Sequence, residues 1–196
     1  MNRFVVYSIS RPGASELVGR REYYFGSTDI GKESNGHVQH ALELNDIHLA
    51  LKQSRTLVRW TLESDNRSRN EFTGIGYVKD LTRFSVRVGG QECRFALEYE
   101  RTPKSRFRYT MIRSRIEAET SVPHFLYLAP NYVLLLFLVR RFAICRRAVY
   151  FGLRKDFLTH ALGLSVRSNR SPISTTLRAV LAATPPNPSG RNTAVA

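Results

Sequence analysis

Cys93–Tyr109 reads CRFALEYERTPKSRFRY, and its first half alternates strictly. Cys93, Phe95, Leu97 and Tyr99 fall on one side, and Arg94, Ala96, Glu98 and Glu100 on the other. This is the period of a half-buried strand. Two carboxylates then stand two residues apart on one face, at the carboxyl end of that strand. Thr102 and Pro103 follow with the spacing of an N-cap and a first helical residue. Beyond them come Lys104, Arg106, Arg108, Arg113 and Arg115. Acid at a strand end beside a basic helix is the layout of a site that holds a metal near phosphate. It is equally the layout of a salt-bridged surface.

Outward from this stretch, the upstream residues supply its partner strand. Phe84, Val86 and Val88 alternate within 83–88, and Gly89-Gly90 is a tight hairpin signal leading into Cys93–Glu100. With a two-residue loop, Val88 pairs with Gln91 and Asp80 with Tyr99. Asp80 then lies on the opposite face from the two glutamates unless a bulge around 81–83 re-aims it. Further upstream, 57–62 and 74–78 read as strands. His37–Gln53 reads as a helix with Ala41, Leu44, Ile47, His48 and Leu51 on one stripe. At the amino terminus, 3–10 reads as a short strand, 14–21 as a helical turn and 26–36 as a polar loop.

Downstream, 103–119 reads as a helix burying Phe107, Met111, Ile112 and Ile116. Pro123–Leu128 is an apolar run of the kind found in central strands. Asn131 stands as the cap of a helix over 132–144, whose basic end suits the macrodipole. A last strand is expected over 148–153 and a short helix over 157–164. From Ser165 the composition shifts to Ser, Pro, Thr, Asn and Arg, so 165–196 is expected to be a disordered tail. The order predicts an α/β fold: a mixed central sheet flanked by helices.

The chain has 196 residues, 42% of them hydrophobic and 23% charged, which fits a globular domain with a real core. Its net charge is +14, carried mostly by arginine, whose planar fork suits phosphate and base edges. Nucleic acid is therefore the first partner to consider, and double-stranded DNA is the one expected. The basic residues Arg101, Lys104, Arg108 and Arg115 are the expected contacts. The amino-terminal residues lack the apolar core of a signal peptide. The clean apolar run in 133–139 falls far short of the ~20 residues a bilayer needs. A cytoplasmic protein with no membrane span is expected. Cys93 and Cys145, far apart, read as free thiols.

Asp80, Glu98 and Glu100 are the candidate oxygen ligands for magnesium, which typically takes one or two protein carboxylates plus phosphate and water. The competing expectation pairs Glu98 and Glu100 with Arg94, Arg101 or the helix arginines. His40, Glu43, Asn45 and Asp46 form a polar group on the first helix that suits anchoring better than metal binding. The sequence carries no nucleophile-elbow, Walker or dinucleotide glycine motif.

His40-Ala-Leu-Glu-Leu-Asn-Asp46, Phe95-Ala-Leu-Glu-Tyr-Glu-Arg-Thr102 with Lys104 and Tyr109, and Val122-Pro-His-Phe-Leu-Tyr-Leu128 together resemble the replication-relaxation family of plasmids and mobile elements. The resemblance covers 37–155. It implies a restriction-endonuclease-like core similar to the PD-(D/E)xK nucleases over 37–164. It also implies that 1–36 holds the remnant of a winged helix. Carried over, Asp80 and Glu98 are the metal-binding acids. Lys79 stands where the family pattern has proline, and Glu100 where a nuclease has its lysine. Lys104, one helical turn on, is the nearest replacement for that charge. Three functions follow: a DNA-binding accessory factor of replication or mobilisation with weak or absent cleavage, a magnesium-dependent endonuclease, and a basic RNA-binding protein. The first two imply replication or mobilisation proteins as partners.

Overall fold

The computed structural model describes residues 35–61 and 82–183, with side chains from Gln39 onward in the first helix. The chain divides into two units, Met1–Ile47 and His48–Ala196. The expectations for 3–10, 14–21, 26–34, 74–78, Asp80 and 184–196 lie outside the described residues. The boundary between the units falls inside α1 (Asn35–Gln53).

Among the described residues from His48 onward, the fold is a seven-stranded mixed sheet flanked by helices, with the strands side by side in chain order. β1 (Leu57–Thr61), β2 (Thr82–Val88) and β3 (Gln91–Tyr99) form an antiparallel meander. The β2–β3 register runs unbroken from Val88 opposite Gln91 to Thr82 opposite Leu97, as the hairpin reading requires. Gly89 and Gly90 have φ of 57° and 83°, the left-handed pair that a two-residue primed turn needs. α2 (Arg106–Ala118) then crosses to β4 (His124–Ala129), parallel to β3, and α3 (Tyr132–Phe142) crosses to β5 (Val149–Leu153), parallel to β4. Asn131 caps α3, its Oδ1 accepting from the Leu134 N–H at 2.9 Å.

Both crossover helices cover one face of the sheet. Tyr109, Ile112 and Ile116 of α2 join Leu134, Leu135, Leu138 and Phe142 of α3 over Ala96, Phe125, Tyr127 and Phe151. Each large apolar side chain buried here contributes on the order of 2 kcal/mol. The expected buried face of α2 is corrected: Tyr109 replaces Phe107 and Met111, which are exposed. The helix starts three residues later than expected, and i, i+3, i+7 spacing from Tyr109 turns Phe107 and Met111 to solvent. On the other face, Trp60 packs between His48 and Phe84, with ring centroids 4.8 and 5.6 Å away.

The expectation for 165–183 is also corrected. α4 (Arg154–His160) and a 3-10 turn (Ala161–Gly163) lead into β6 (Ser165–Ser168), β7 (Thr175–Thr176) and α5 (Leu177–Ala182). β6 pairs antiparallel with β5. Polar composition misleads here because only a few apolar residues do the anchoring: Val166, Leu177, Val180 and Leu181 are buried. Gly152 of β5 makes room for this segment, since a Cβ there would meet Leu164 at 2.6 Å.

Candidate functional site

Strands β3, β4 and β5 run parallel and end together, and in open α/β sheets the carboxyl ends of parallel strands are where ligands bind. The Glu100 N–H donates to Leu128 O at 3.0 Å, extending the β3–β4 ladder one residue past β3. Strand alternation puts Glu98 on the face that α2 covers, beside Ala96. The segment from Arg101 to Ser105 turns the chain back, and it carries Lys104 into the space between the two acids. Lys104 Nζ lies 3.0 Å from Glu98 Oε1 and 2.6 Å from Glu100 Oε2.

Tyr109 holds this arrangement from below. Its hydroxyl accepts the Lys104 backbone N–H at 3.1 Å and also bonds the Glu100 carboxylate. Exposure of the three side chains falls from 29% at Lys104 through 14% at Glu98 to 3% at Glu100. Lys104 is therefore the most exposed side chain of the cluster, and Glu100 the most buried.

Burial pushes the Glu100 carboxyl above its usual range, against the opposing pull of Lys104, Tyr109 and Arg108. Burial alone would lower Lys104, but Glu98 and Glu100 together outweigh it and hold the ammonium above its usual range. Lys104 is thus charged at neutral pH and cannot serve as a base. One oxygen of each carboxylate contacts it, and the contacts fix the charge and geometry of the cluster.

Comparison of the chain with protein-family models, with curated proteins and with solved structures finds no match.

Glu98, Glu100 and Lys104 are brought together; Asp80 lies outside the described residues. Among the described residues no group of three His, Cys, Asp or Glu side chains is placed to hold a metal ion. As folded, Glu98 and Glu100 both contact the Lys104 ammonium. Lys104 contacts both acids, and the Arg108 charge also acts on Glu100, while Arg94 Nε lies 3.7 Å from Glu92.

Lys104, expected among the DNA contacts, directs its ammonium to Glu98 and Glu100. The expected cap at Thr102 moves to Ser105, whose Oγ accepts the Arg108 N–H at 3.3 Å. Lys104 precedes the helix because its backbone N–H is held by Tyr109. Of the remaining basic residues, Arg108 is exposed on α2, and Arg101 and Arg115 are half-buried.

Two residues of this end were not singled out for a role in the site. Tyr109 is one; only its place at the head of the Tyr109–Ile112–Ile116 stripe could have marked it. Arg154 is the other. It opens α4 at the carboxyl end of β5, with its guanidinium 5.6 Å from the Tyr99 ring. Nothing local in the sequence joins positions 55 residues apart. Within the described residues no helix is long and apolar enough to cross a membrane.

Proposed function

We propose that this chain is a DNA-binding accessory protein of plasmid or mobile-element replication, acting in the cytoplasm on a nuclease-like core without cutting its substrate. One observation carries the claim: the Lys104 ammonium sits between Glu98 and Glu100, and in this reading it takes the place of a catalytic cation. A net charge of +14 and the arginines of α2 support a polyanionic partner. The strand–helix–strand order around Glu98 fits the restriction-endonuclease-like core and the replication-relaxation likeness drawn from the sequence. Arg101, Arg108 and Arg115 are the contacts, reading phosphate rather than base sequence.

The metal-dependent endonuclease remains the second reading. It is favoured by the same geometry, since both carboxylates converge on one positive centre and would free two oxygens if Lys104 swung out.

Fluorescence anisotropy of a labelled duplex across a salt series tests the binding. Affinity is expected to fall steeply with salt. Replacing Arg101, Arg108 and Arg115 by alanine should lower the slope by up to about three units, near one per lost phosphate contact. Binding that ignores salt would remove the basis for this function.

A further inference from the structure

A second cluster of arginines lies at the opposite end of the parallel strands, where no functional residue was expected. α3 ends in Arg140 and Arg141, and the chain turns through Ile144 to Arg146 and Arg147 before β5. Asn169 stitches this turn: its amide donates to Phe142 O, Cys145 O and Arg147 O at 3.1, 3.0 and 3.1 Å. Its Oδ1 accepts the Val149 N–H at 2.9 Å. Arg170, the next residue, is thereby held beside the turn. The end of α2 joins the same place, since the Arg146 N–H donates to Glu117 Oε1 at 2.9 Å and Arg113 donates to Arg141 O at 2.8 Å.

The arginines here divide by what they do. Arg147 donates to the carbonyls of Glu119 and Val122 and lies 5.5 Å from the Phe125 ring centroid. Arg113 serves α3, and Arg141 stacks on Phe137 at 4.8 Å. Arg140, Arg146 and Arg170 are exposed. The macrodipole of α3 accounts for a cation at Arg140, but Arg146 and Arg170 stand outside that last turn. Exposed arginines suit phosphate, which they grip through two parallel N–H bonds.

We infer that the DNA-contacting surface continues past α2 onto Arg140, Arg146 and Arg170, making one basic track along the helix layer. This rests on the DNA binding proposed above. α2 has 13 residues and so spans about 20 Å, or about six base pairs of one strand. Arg108 stands near its start, Arg115 near its end, and the second cluster lies beyond. A lipid surface shares the phosphate chemistry, but Ile144 is the one large exposed apolar side chain in the turn, and interfacial binding needs an apolar helix face.

The test uses the full chain, a labelled duplex and a salt series. Arg140→Ala/Arg146→Ala/Arg170→Ala should lower the salt slope by about two to three units and weaken binding more than tenfold at physiological salt. The triple lysine variant should keep the slope, because it keeps the charge. A slope unchanged in the alanine variant, with the unmodified chain still binding, overturns the inference and leaves the α2 surface standing. No duplex binding by the unmodified chain overturns both. Phosphatidylserine vesicles form the second arm: vesicle binding lost in the alanine variant, with the DNA slope intact, assigns the patch to lipid and also overturns it.

Discussion

Two buried charge clusters lie at opposite ends of the helix-covered face, and they are built differently. At the amino end of β4, Arg83 pairs with Glu119 Oε2, and Glu119 Oε1 accepts the Ser121 N–H and Oγ–H at 2.8 and 2.6 Å. Both carboxylate oxygens of Glu119 are hydrogen-bonded. At the carboxyl end of β3, two carboxylates share one ammonium, with Glu100 buried and Lys104 the most exposed of the three. The first is a closed structural pair. The second sets two carboxylates around one ammonium, with the Arg108 charge also acting on Glu100, and its most exposed side chain is Lys104. Perturbed groups at the carboxyl ends of parallel strands mark functional sites more often than groups elsewhere do.

The comparison breaks first at its structural end. Arg83→Met leaves Glu119 buried without its cation and should cost about 3–5 kcal/mol in urea unfolding. Adding Glu119→Leu should recover most of that loss, because an apolar pair of similar size tolerates burial. A cost below about 1 kcal/mol for Arg83→Met would mean that the pair is not structural.

Lys104→Met should cost less, about 2 kcal/mol at neutral pH, because the ammonium is partly solvated and Glu100 can take up a proton instead. The pH dependence gives this a sign. The folded pKa of Glu100 lies above its ordinary 4.5, so the native state holds that proton more tightly than the unfolded chain does. The stability this provides is present in acid and is lost as pH rises through the folded value. Without Lys104 the folded value rises further, and the deficit of Lys104→Met should shrink on acidification. A deficit that does not change with pH would show that Glu100 is not the group left unpaired.

Tyr109→Phe removes the hydroxyl under the cluster and should cost about 1 kcal/mol. It should also make Lys104 easier to displace. Phe107→Ser should change stability by less than about 0.5 kcal/mol, the scale of an exposed substitution, although Phe107 is the more apolar-looking neighbour. A large loss at Phe107 would return the helix to the face expected from the sequence.

How far the sequence carried follows from where the signals were local. The Gly89-Gly90 turn, the β2–β3 register and the Asn131 cap each depend on residues within one hairpin or one helical turn, and each stands as expected. The same holds for the coarse class, a mixed sheet flanked by helices. The start of α2 was misplaced because Thr102-Pro103 carries an equally good capping pattern. The hydroxyl of Tyr109, five residues on from Lys104, decided against it. The observed helix buries the Tyr109, Ile112 and Ile116 stripe, and Lys104 lies before it in the turn. The strands and helix after Ser165 were hidden in polar composition; their anchors, Val166 and Leu177, show as core only once β6 lies against β5. The site was half legible. Alternation placed Glu98, but the meeting of Lys104 with both acids depends on a turn with no strong local code.

Plasmid nicking by the purified chain, with magnesium and then manganese, is the most direct test of the claim that Lys104 occupies the cation's place. The plasmid is expected to be bound, seen as a gel shift that salt reverses, and to remain supercoiled. Nicking by the unmodified chain that Glu98→Ala and Glu100→Ala both abolish would contradict the account and establish the endonuclease in its place.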